Sequence, residues 1–176
     1  MGLDTAVDSK APESFEELGR QLAGKYMLFQ LADEAYGLAI LKVRELIGLM
    51  EITRVPRTQD YVRGVINLRG KVIPVVDLRL KFGMRAAETT DQTVIIVVQC
   101  QVADRLLTMG LLVDQVLEVL SIDAGKIEAA PDLGGASADN AFILGVGKTA
   151  DRVVFLLDID RVFTGREAAA PSSTGA

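Results

Sequence analysis

The sequence predicts an all-β protein built from two similar small β-barrels of about five short strands each, related by an internal duplication. Short β-branched apolar runs alternate with turn residues along the chain, which is the pattern of small barrels. Two stretches also match at a constant spacing of 73 residues, so that Gly37 recurs as Gly110 and Glu45 recurs as Glu118. Similarity at a fixed spacing indicates a repeated supersecondary unit, and the two halves should therefore fold alike.

In the first half, apolar runs bounded by turn residues predict the elements in order. The predicted strands cover 25–31, 36–40, 44–49 and 52–56, with one helical turn at 58–61. The segment 62–83 predicts a β-hairpin, because Gly70 lies between two β-branched runs and supplies the positive φ of a tight turn. Pro74 cannot donate to a sheet ladder, so its strand should lie at an edge or carry a bulge. Asp77 ends that strand and should cap a short helical turn over 78–82.

After a polar linker at 85–92 the pattern begins again. The predicted strands cover 93–102, 106–113, 116–120, 141–146 and 152–157, followed by a closing helical turn at 158–163. The run that ends at Asp158 resembles the one that ends at Asp77, at a spacing of 81 residues instead of 73. We therefore expect the irregular stretch at 122–139 to hold the extra residues of the second copy.

The chain divides into three predicted parts. Residues 1–24 are polar and acidic and predict a mobile arm that contains one short helix. Residues 25–164 form the folded domain, with barrel subdomains at roughly 25–84 and 92–164, and the sequence leaves open whether the two barrels exchange strands. The small polar residues at 165–176 predict a disordered tail.

Composition argues against several classes of function. The formal net charge is −5 and the pI is about 4.8, whereas a nucleic-acid-binding protein needs a basic face, so no nucleic-acid partner is predicted. The chain has no histidine, which removes Ser-His-Asp and Cys-His catalysis together with histidine metal sites. No catalytic residue, metal site or cofactor is predicted. The single Cys100 cannot form an internal disulfide, and no signal or membrane-spanning pattern is present, so we expect a cytoplasmic protein without direct membrane insertion.

Arg69 stands out among the candidate site residues, because the predicted hairpin holds its cation at the tip. From the residues alone, Arg69 is either an ordinary solvated tip or a contact residue for a partner. The same reasoning places Val43 in the core, explains Gly64 as a requirement of the backbone, and treats Glu45 as a surface charge.

Asp77 and Asp158 are the second candidate pair. Two carboxylates could in principle share general acid and base roles in a cleft between the barrels. Each of them, however, occupies the same place in its repeat, which favours a structural role as the cap of a short helix.

The letters RGVINLRGKVIPVVDLRLKFG resemble the hallmark segment of the CheW family, the coupling proteins of bacterial chemotaxis. The resemblance covers roughly 25–164 and implies two SH3-like five-stranded barrels. It implies two partners, the helical hairpin tip of a chemoreceptor signalling domain and the regulatory domain of the CheA histidine kinase. Arg69 stands at the family's receptor-contact arginine. Glu45, Val43 and Gly64 match positions that the family uses at or beside its receptor surface.

The resulting hypothesis is a non-enzymatic adaptor of chemotaxis signal transduction, a scaffold that acts in the cytoplasm at membrane-associated receptor arrays. A groove between the barrels is expected to accept apolar helical faces. Rings with other copies of the family remain open. One alternative is a CheW-like coupling protein of a non-chemotaxis array, such as one that governs surface motility. Another is a small-ligand sensor, or an enzyme, that uses the cleft between the barrels with Asp77 or Asp158.

Overall fold

The computed structural model describes residues 15–130 and 142–163, and the predictions for 1–14, for the irregular stretch from 131 onwards and for 165–176 lie outside these ranges. The strands are β1 (Gly24–Leu31), β2 (Glu34–Ala39), β3 (Val43–Gly48), β4 (Val62–Leu68), β5 (Lys71–Asp77), β6 (Val94–Val102), β7 (Arg105–Val113), β8 (Gln115–Ile122), β9 (Ile127–Glu128), β10 (Ile143–Lys148) and β11 (Val153–Leu157). The α-helices are α1 (Phe15–Leu22), α2 (Leu78–Lys81) and α3 (Ile159–Val162), and 3-10 turns cover Ile40–Lys42 and Ala124–Lys126. None of these helices has the length and apolar character needed to cross a lipid bilayer.

The strands form two sheets, which confirms the predicted all-β fold class. Sheet A has the order β8-β1-β2-β11-β10-β9, and sheet B has the order β3-β6-β7-β5-β4. The first hairpin of each half pairs with strands of the other half: β1 and β2 lie in sheet A with β8 to β11, and β6 and β7 lie in sheet B with β3 to β5. Each sheet contains one parallel pair, β2 with β11 in sheet A and β5 with β7 in sheet B. The two sheets are therefore built alike, except that sheet A has the extra two-residue strand β9.

The recurring glycines mark the parallel pairs. Gly37 lies opposite Leu156 in sheet A, and Gly110 lies opposite Val75 in sheet B. A Cβ atom on Gly37 would lie 3.1 Å from the Leu156 side chain, and one on Gly110 would lie 2.9 Å from the Ile95 side chain. Glycine recurs at the constant spacing because a side chain at this place would displace the neighbouring core.

The hydrophobic core has three parts, one between the sheets and one within each sheet. The central part draws on both sheets and includes Met27, Phe29, Leu38, Ile96, Val98 and Leu111. The interior of sheet A holds Tyr26, Leu28, Val154 and Leu156, and the interior of sheet B holds Ile66, Ile73, Val75, Ile95 and Val97. Neighbouring residues such as Leu28 and Phe29 thus face two different cores. This explains why the strands are apolar along both faces.

Helix α1 lies against sheet A at the start of the described chain. A Cβ atom on Gly19 would overlap the backbone carbonyl of Ala124, so the helix and the 3-10 turn of Ala124–Lys126 are in close contact. Leu22 packs against the interior core of sheet A, and the hydroxyl of Tyr26 donates to the Leu22 carbonyl at 2.6 Å.

Two of the predicted elements are absent from the described residues. The segment 52–56 was predicted to extend the sheet, but it makes only one isolated bridge, Thr53 with Val65. Residues 58–61 were predicted to form a helical turn, but no helix is present there. One isolated hydrogen bond closes a turn, in which the amide of Val62 donates to the Gln59 carbonyl at 3.0 Å. Pro56 cannot donate to a ladder, and Arg57 has a φ of 64°, so neither regular element can continue here.

Candidate functional site

The β4–β5 hairpin presents Arg69 on a two-residue turn. Leu68 pairs with Lys71, and the two residues between them both have positive φ, 54° for Arg69 and 86° for Gly70. Positive φ at both central positions defines a type I′ turn, whose twist matches that of the flanking strands. The side-chain oxygen of Asn67 accepts a hydrogen bond from the Gly70 amide at 2.9 Å and braces the turn. Sequence reasoning assigned the positive φ to glycine alone, whereas the turn also requires it of the arginine.

Arg69 and Glu45 form a two-point ion pair, although 24 residues separate them in sequence. Nη1 of Arg69 donates to Oε2 of Glu45 at 2.7 Å, and Nη2 donates to Oε1 at 2.7 Å. The hydrogen bond from Arg69 lowers the pKa of Glu45, and the reciprocal hydrogen bond raises the pKa of Arg69. The pair is asymmetric in exposure, because the Arg69 side chain is 71% exposed and that of Glu45 is 29% exposed. The guanidinium is therefore held in a fixed direction while much of it still faces solvent.

A pocket of about 300 Å³ lies beside this pair at one end of sheet B. Its lining combines apolar side chains, among them Ile73 and Val97, with the cations Arg44 and Lys71. The guanidinium of Arg44 donates to the side-chain oxygen of Gln99, which fixes a second cation at the rim. The pocket lining thus contains three cations, counting Arg69, and one carboxylate, that of Glu45. Such a site favours an acidic partner side chain with an apolar stem.

Arg44 and Lys71 were not singled out by sequence reasoning. Lys71 directly follows the predicted turn, and its position there is the one signal that could have drawn attention to it. Arg44 lies at an irregularity in the β3–β6 ladder between Val43 and Glu45, which the sequence does not reveal.

Val43 and Gly64 lie away from the pocket lining. Val43 is half-buried opposite Val98 and packs against the central core. Gly64 lies near the start of β4, almost a whole strand away from Arg69, where a Cβ atom would overlap the carbonyl of Thr53. The structure therefore brings together two of the four predicted site residues, while the other two shape the strands that carry them.

Asp77 and Asp158 cap helices, which confirms the structural interpretation of these two carboxylates. Asp77 is 4% exposed, accepts from the amides of Arg79 and Leu80, and pairs with Arg63 at 3.2 Å. Asp158 accepts from the amide of Asp160 at 3.0 Å at the start of α3. Within the described ranges no group of three or more Cys, Asp or Glu side chains is placed to hold a metal ion.

Two similar sheets that exchange their first hairpins, with a braced arginine at the end of one of them, define a CheW-like domain. Residues 25–167 match the family model described as the CheW-like domain, and the chain belongs to the CheW family.

Individual relatives agree with this assignment. The chain is 35% identical to the chemotaxis protein CheW of Klebsiella aerogenes, over 86% of this chain and 88% of that protein. It is 38% identical to the chemotaxis protein CheW of Rhizobium meliloti, over 85% of this chain and 90% of that protein. The crystal structure of the scaffolding protein TtCheW from Thermoanaerobacter tengcongensis superposes with a TM-score of 0.71 at 36% identity, and covers 83% of this chain and 97% of that one. No family of enzymes appears among these matches.

Proposed function

We propose that this chain is a non-enzymatic adaptor that couples a chemoreceptor signalling domain to the CheA histidine kinase. On this proposal it acts in the cytoplasm, at membrane-associated receptor arrays. The membership of the CheW family supports this role, since the relatives are named as chemotaxis proteins and, in one case, as a scaffolding protein. An adaptor needs surfaces and no reactive centre, and the two carboxylates that could have suggested one serve as helix caps.

The observation that carries the proposal is the braced Arg69–Glu45 pair beside a pocket lined by apolar side chains and cations. Glu45 holds the guanidinium in place before a partner arrives, so little side-chain freedom is lost on binding. Arg69 still presents most of its surface to solvent and can bond a carboxylate of the receptor. The partly exposed Leu68 offers an apolar contact, and the cations fix the register of the receptor helices. Val43 and Gly64 contribute to the receptor surface by holding β3 and β4 in shape.

The second proposed partner is the regulatory domain of CheA. That domain is itself similar to CheW, so packing between barrels of the two proteins in a pseudo-symmetric arrangement is expected. Binding of the kinase should use a surface separate from the Arg69 pocket, because an adaptor must hold both partners at once.

The test is co-purification of the chain with a receptor signalling domain and with a CheA regulatory domain, together and apart. Arg69→Glu should weaken receptor capture by about tenfold or more while kinase capture is retained, since only the receptor site loses its cation. Arg105→Glu is the matched control, because Arg105 is also an exposed arginine beside a two-residue hairpin turn. Unchanged receptor capture by folded Arg69→Glu would overturn the site, and failure of the native chain to capture either partner would overturn the function.

A further inference from the structure

We infer that Asp160 is a positioning residue for the receptor site, because it clamps the point at which the chain enters β3 from the other sheet. The inference rests on the proposed function, since β3 carries Glu45. Asp160 itself lies in α3, which follows the last strand of sheet A, and it does not line the Arg69 pocket. It acts on the site through the backbone of another element.

Both oxygens of the Asp160 carboxylate are used. Oδ2 accepts from Nζ of Lys42 at 2.9 Å, and Oδ1 accepts from the backbone amide of Gln101 at 2.7 Å. Lys42 is the last residue before β3, and Gln101 lies in β6, the strand that pairs with β3. One carboxylate therefore ties the entry of β3 to the neighbouring strand of the same sheet.

Asp160 is well placed to act as a fixed point. Its backbone amide donates to the capping carboxylate of Asp158 at 3.0 Å. Ile159 and Val162, on the same short helix, are each 1% exposed and belong to the central core. By contrast, no residue of the 3-10 turn Ile40–Lys42 is buried, and the Leu41 side chain is 87% exposed. Ile40, at the start of this turn, packs against the central core, and the clamp at Lys42 holds its other end.

The other crossing between the sheets carries an equivalent clamp with the charges reversed. The described strands pass between sheets twice, from β2 to β3 and from β7 to β8. At the second crossing Asp114 accepts from Nε of Arg79 at 2.8 Å and from Nη2 at 2.6 Å, and its Oδ2 also accepts from the Ala32 amide at 2.8 Å. Arg79 in α2 and Asp160 in α3 are 81 residues apart, the spacing that relates the two capped helices.

The two halves share a clamp between the helix and the residue just before the strand, although Lys42 and Asp114 are 72 residues apart, one short of the spacing of 73. In one half the helix supplies the cation and the crossing supplies the carboxylate, and in the other half these roles are exchanged. In the Arg79–Asp114 clamp two guanidinium nitrogens make three hydrogen bonds to the carboxylate, whereas the Lys42–Asp160 clamp has one ammonium contact. The crossing that leads into Glu45 is thus held by the weaker of the two, and its loss should let β3 shift relative to the Arg69 hairpin.

Two variants separate the contacts, and amide hydrogen exchange measures them in the full-length chain. Asp160→Asn removes the ion pair but keeps an acceptor for the Gln101 amide, and should speed exchange at 40–48 about threefold. Asp160→Ala removes both contacts, and should speed it about tenfold. Exchange in the β4–β5 hairpin should not change. Asp151→Asn, an exposed aspartate paired with its neighbour Arg152, is the matched control.

Receptor capture completes the test. Asp160→Ala should reduce capture of the receptor signalling domain about threefold to tenfold, with circular dichroism unchanged. Native exchange rates at 40–48 in both variants would overturn the inference whatever the binding result. Faster exchange with full receptor capture would overturn the positioning role while leaving the proposed function intact, provided that Arg69→Glu still loses capture. If neither Asp160→Ala nor Arg69→Glu changes capture, the proposed receptor site fails as well.

Discussion

Gly64 and Gly145 occupy the same place in the two halves of the chain, at the spacing of 81 residues that also relates the capping aspartates. Each follows an irregularity in the pairing of its hairpin, and each lies against the backbone of a neighbouring segment. A Cβ atom would overlap the Thr53 carbonyl at Gly64, and would lie 2.8 Å from the Glu128 carbonyl at Gly145. In one half the neighbouring segment is the one that contains Thr53, which forms the isolated bridge with Val65. In the other half it is β9, which pairs with β10. The resemblance places Gly64 beside the receptor surface, and its duplicated environment shows why the backbone needs glycine there.

Gly64→Ala should destabilise the fold by more than about 2 kcal/mol, because it combines a backbone clash with a φ of 141° that L-residues rarely adopt. Gly145→Ala should cost less, since Gly145 has the contact without the positive φ. Urea unfolding of both variants measures the difference. Gly48→Ala on β3 is the control, because a Cβ atom there meets nothing within 4 Å. Equal stability of Gly64→Ala and Gly48→Ala would show that the backbone at Thr53 can move aside at little cost.

The Arg69–Glu45 pair allows the charge of Arg69 to be separated from its shape. In the double variant Glu45→Arg with Arg69→Glu, the two-point pair can form again with the charges exchanged. We expect the double variant to recover thermal stability but not receptor capture, because the exposed member of the pair is then a carboxylate. Differential scanning calorimetry and receptor co-purification, run on both single variants and the double variant, measure the two properties. Full recovery of capture would mean that the receptor needs the braced hairpin and makes no use of the cation at position 69.

Local signals in the sequence predicted the parts of this fold that depend on neighbouring residues. The turn at Gly70, the caps at Asp77 and Asp158, and the strand runs all follow from short-range rules. The recurrence of Gly37 as Gly110 is also visible in the sequence, although its cause, the close parallel pairing with Leu156 and Val75, is not. Parallel pairing between distant strands leaves no local mark, because any apolar strand could fill that place.

The candidate site depended on contacts over long sequence separations. Arg69 could be predicted as an exposed cation from its turn, but its partner Glu45 lies on β3, which pairs with the distant strand β6, and no spacing rule connects the two residues. The strand predicted at 52–56 was wrong for a similar reason. The segment makes only the isolated bridge of Thr53 with Val65, and no local pattern separates a single bridge from a full ladder. The groove expected between the barrels stays a prediction, while Leu28 and Phe29 show that neighbouring residues of one strand face two different cores.

Acid should weaken the Arg79–Asp114 clamp. Burial tends to raise the pKa of Asp114, but the hydrogen bonds from Arg79 and from the Ala32 amide outweigh it, and the pKa is lowered overall. The unfolded aspartate takes up a proton near pH 4, whereas the folded one does so at lower pH. The clamp therefore stabilises the fold fully above about pH 4, and the contribution is lost as the pH falls through the folded pKa.

Asp114→Asn tests this dependence by removing the titrating group. The variant should lose about 1 kcal/mol of unfolding free energy at neutral pH, and the difference from the native chain should shrink as the pH falls below about 4. Urea unfolding across that range measures it. Asp91→Asn, at an exposed turn in the linker between the halves, is the control and should keep the native unfolding free energy at neutral pH. A constant difference at every pH would show that Asp114 contributes by shape rather than by charge.

Alkaline conditions should weaken the central core through Tyr36. Burial, together with the nearby Glu34, raises the pKa of Tyr36 to about 12, and burial also raises the pKa of Tyr26. An unfolded tyrosine ionises near pH 10. Between these values the unfolded chain loses the Tyr36 proton while the folded chain retains it, so stability is full below about pH 10 and declines as the pH rises above it.

Tyr36 lies among aromatic rings, with centroids 5.8 Å from Phe29 and 5.6 Å from Phe155, so Tyr36→Phe keeps the ring contacts and removes only the hydroxyl. That variant should match the native chain within about 1 kcal/mol at neutral pH and lose less stability above pH 10. Urea unfolding combined with ultraviolet titration of the phenolate measures both effects. An identical alkaline loss in Tyr36→Phe would assign the loss to other groups.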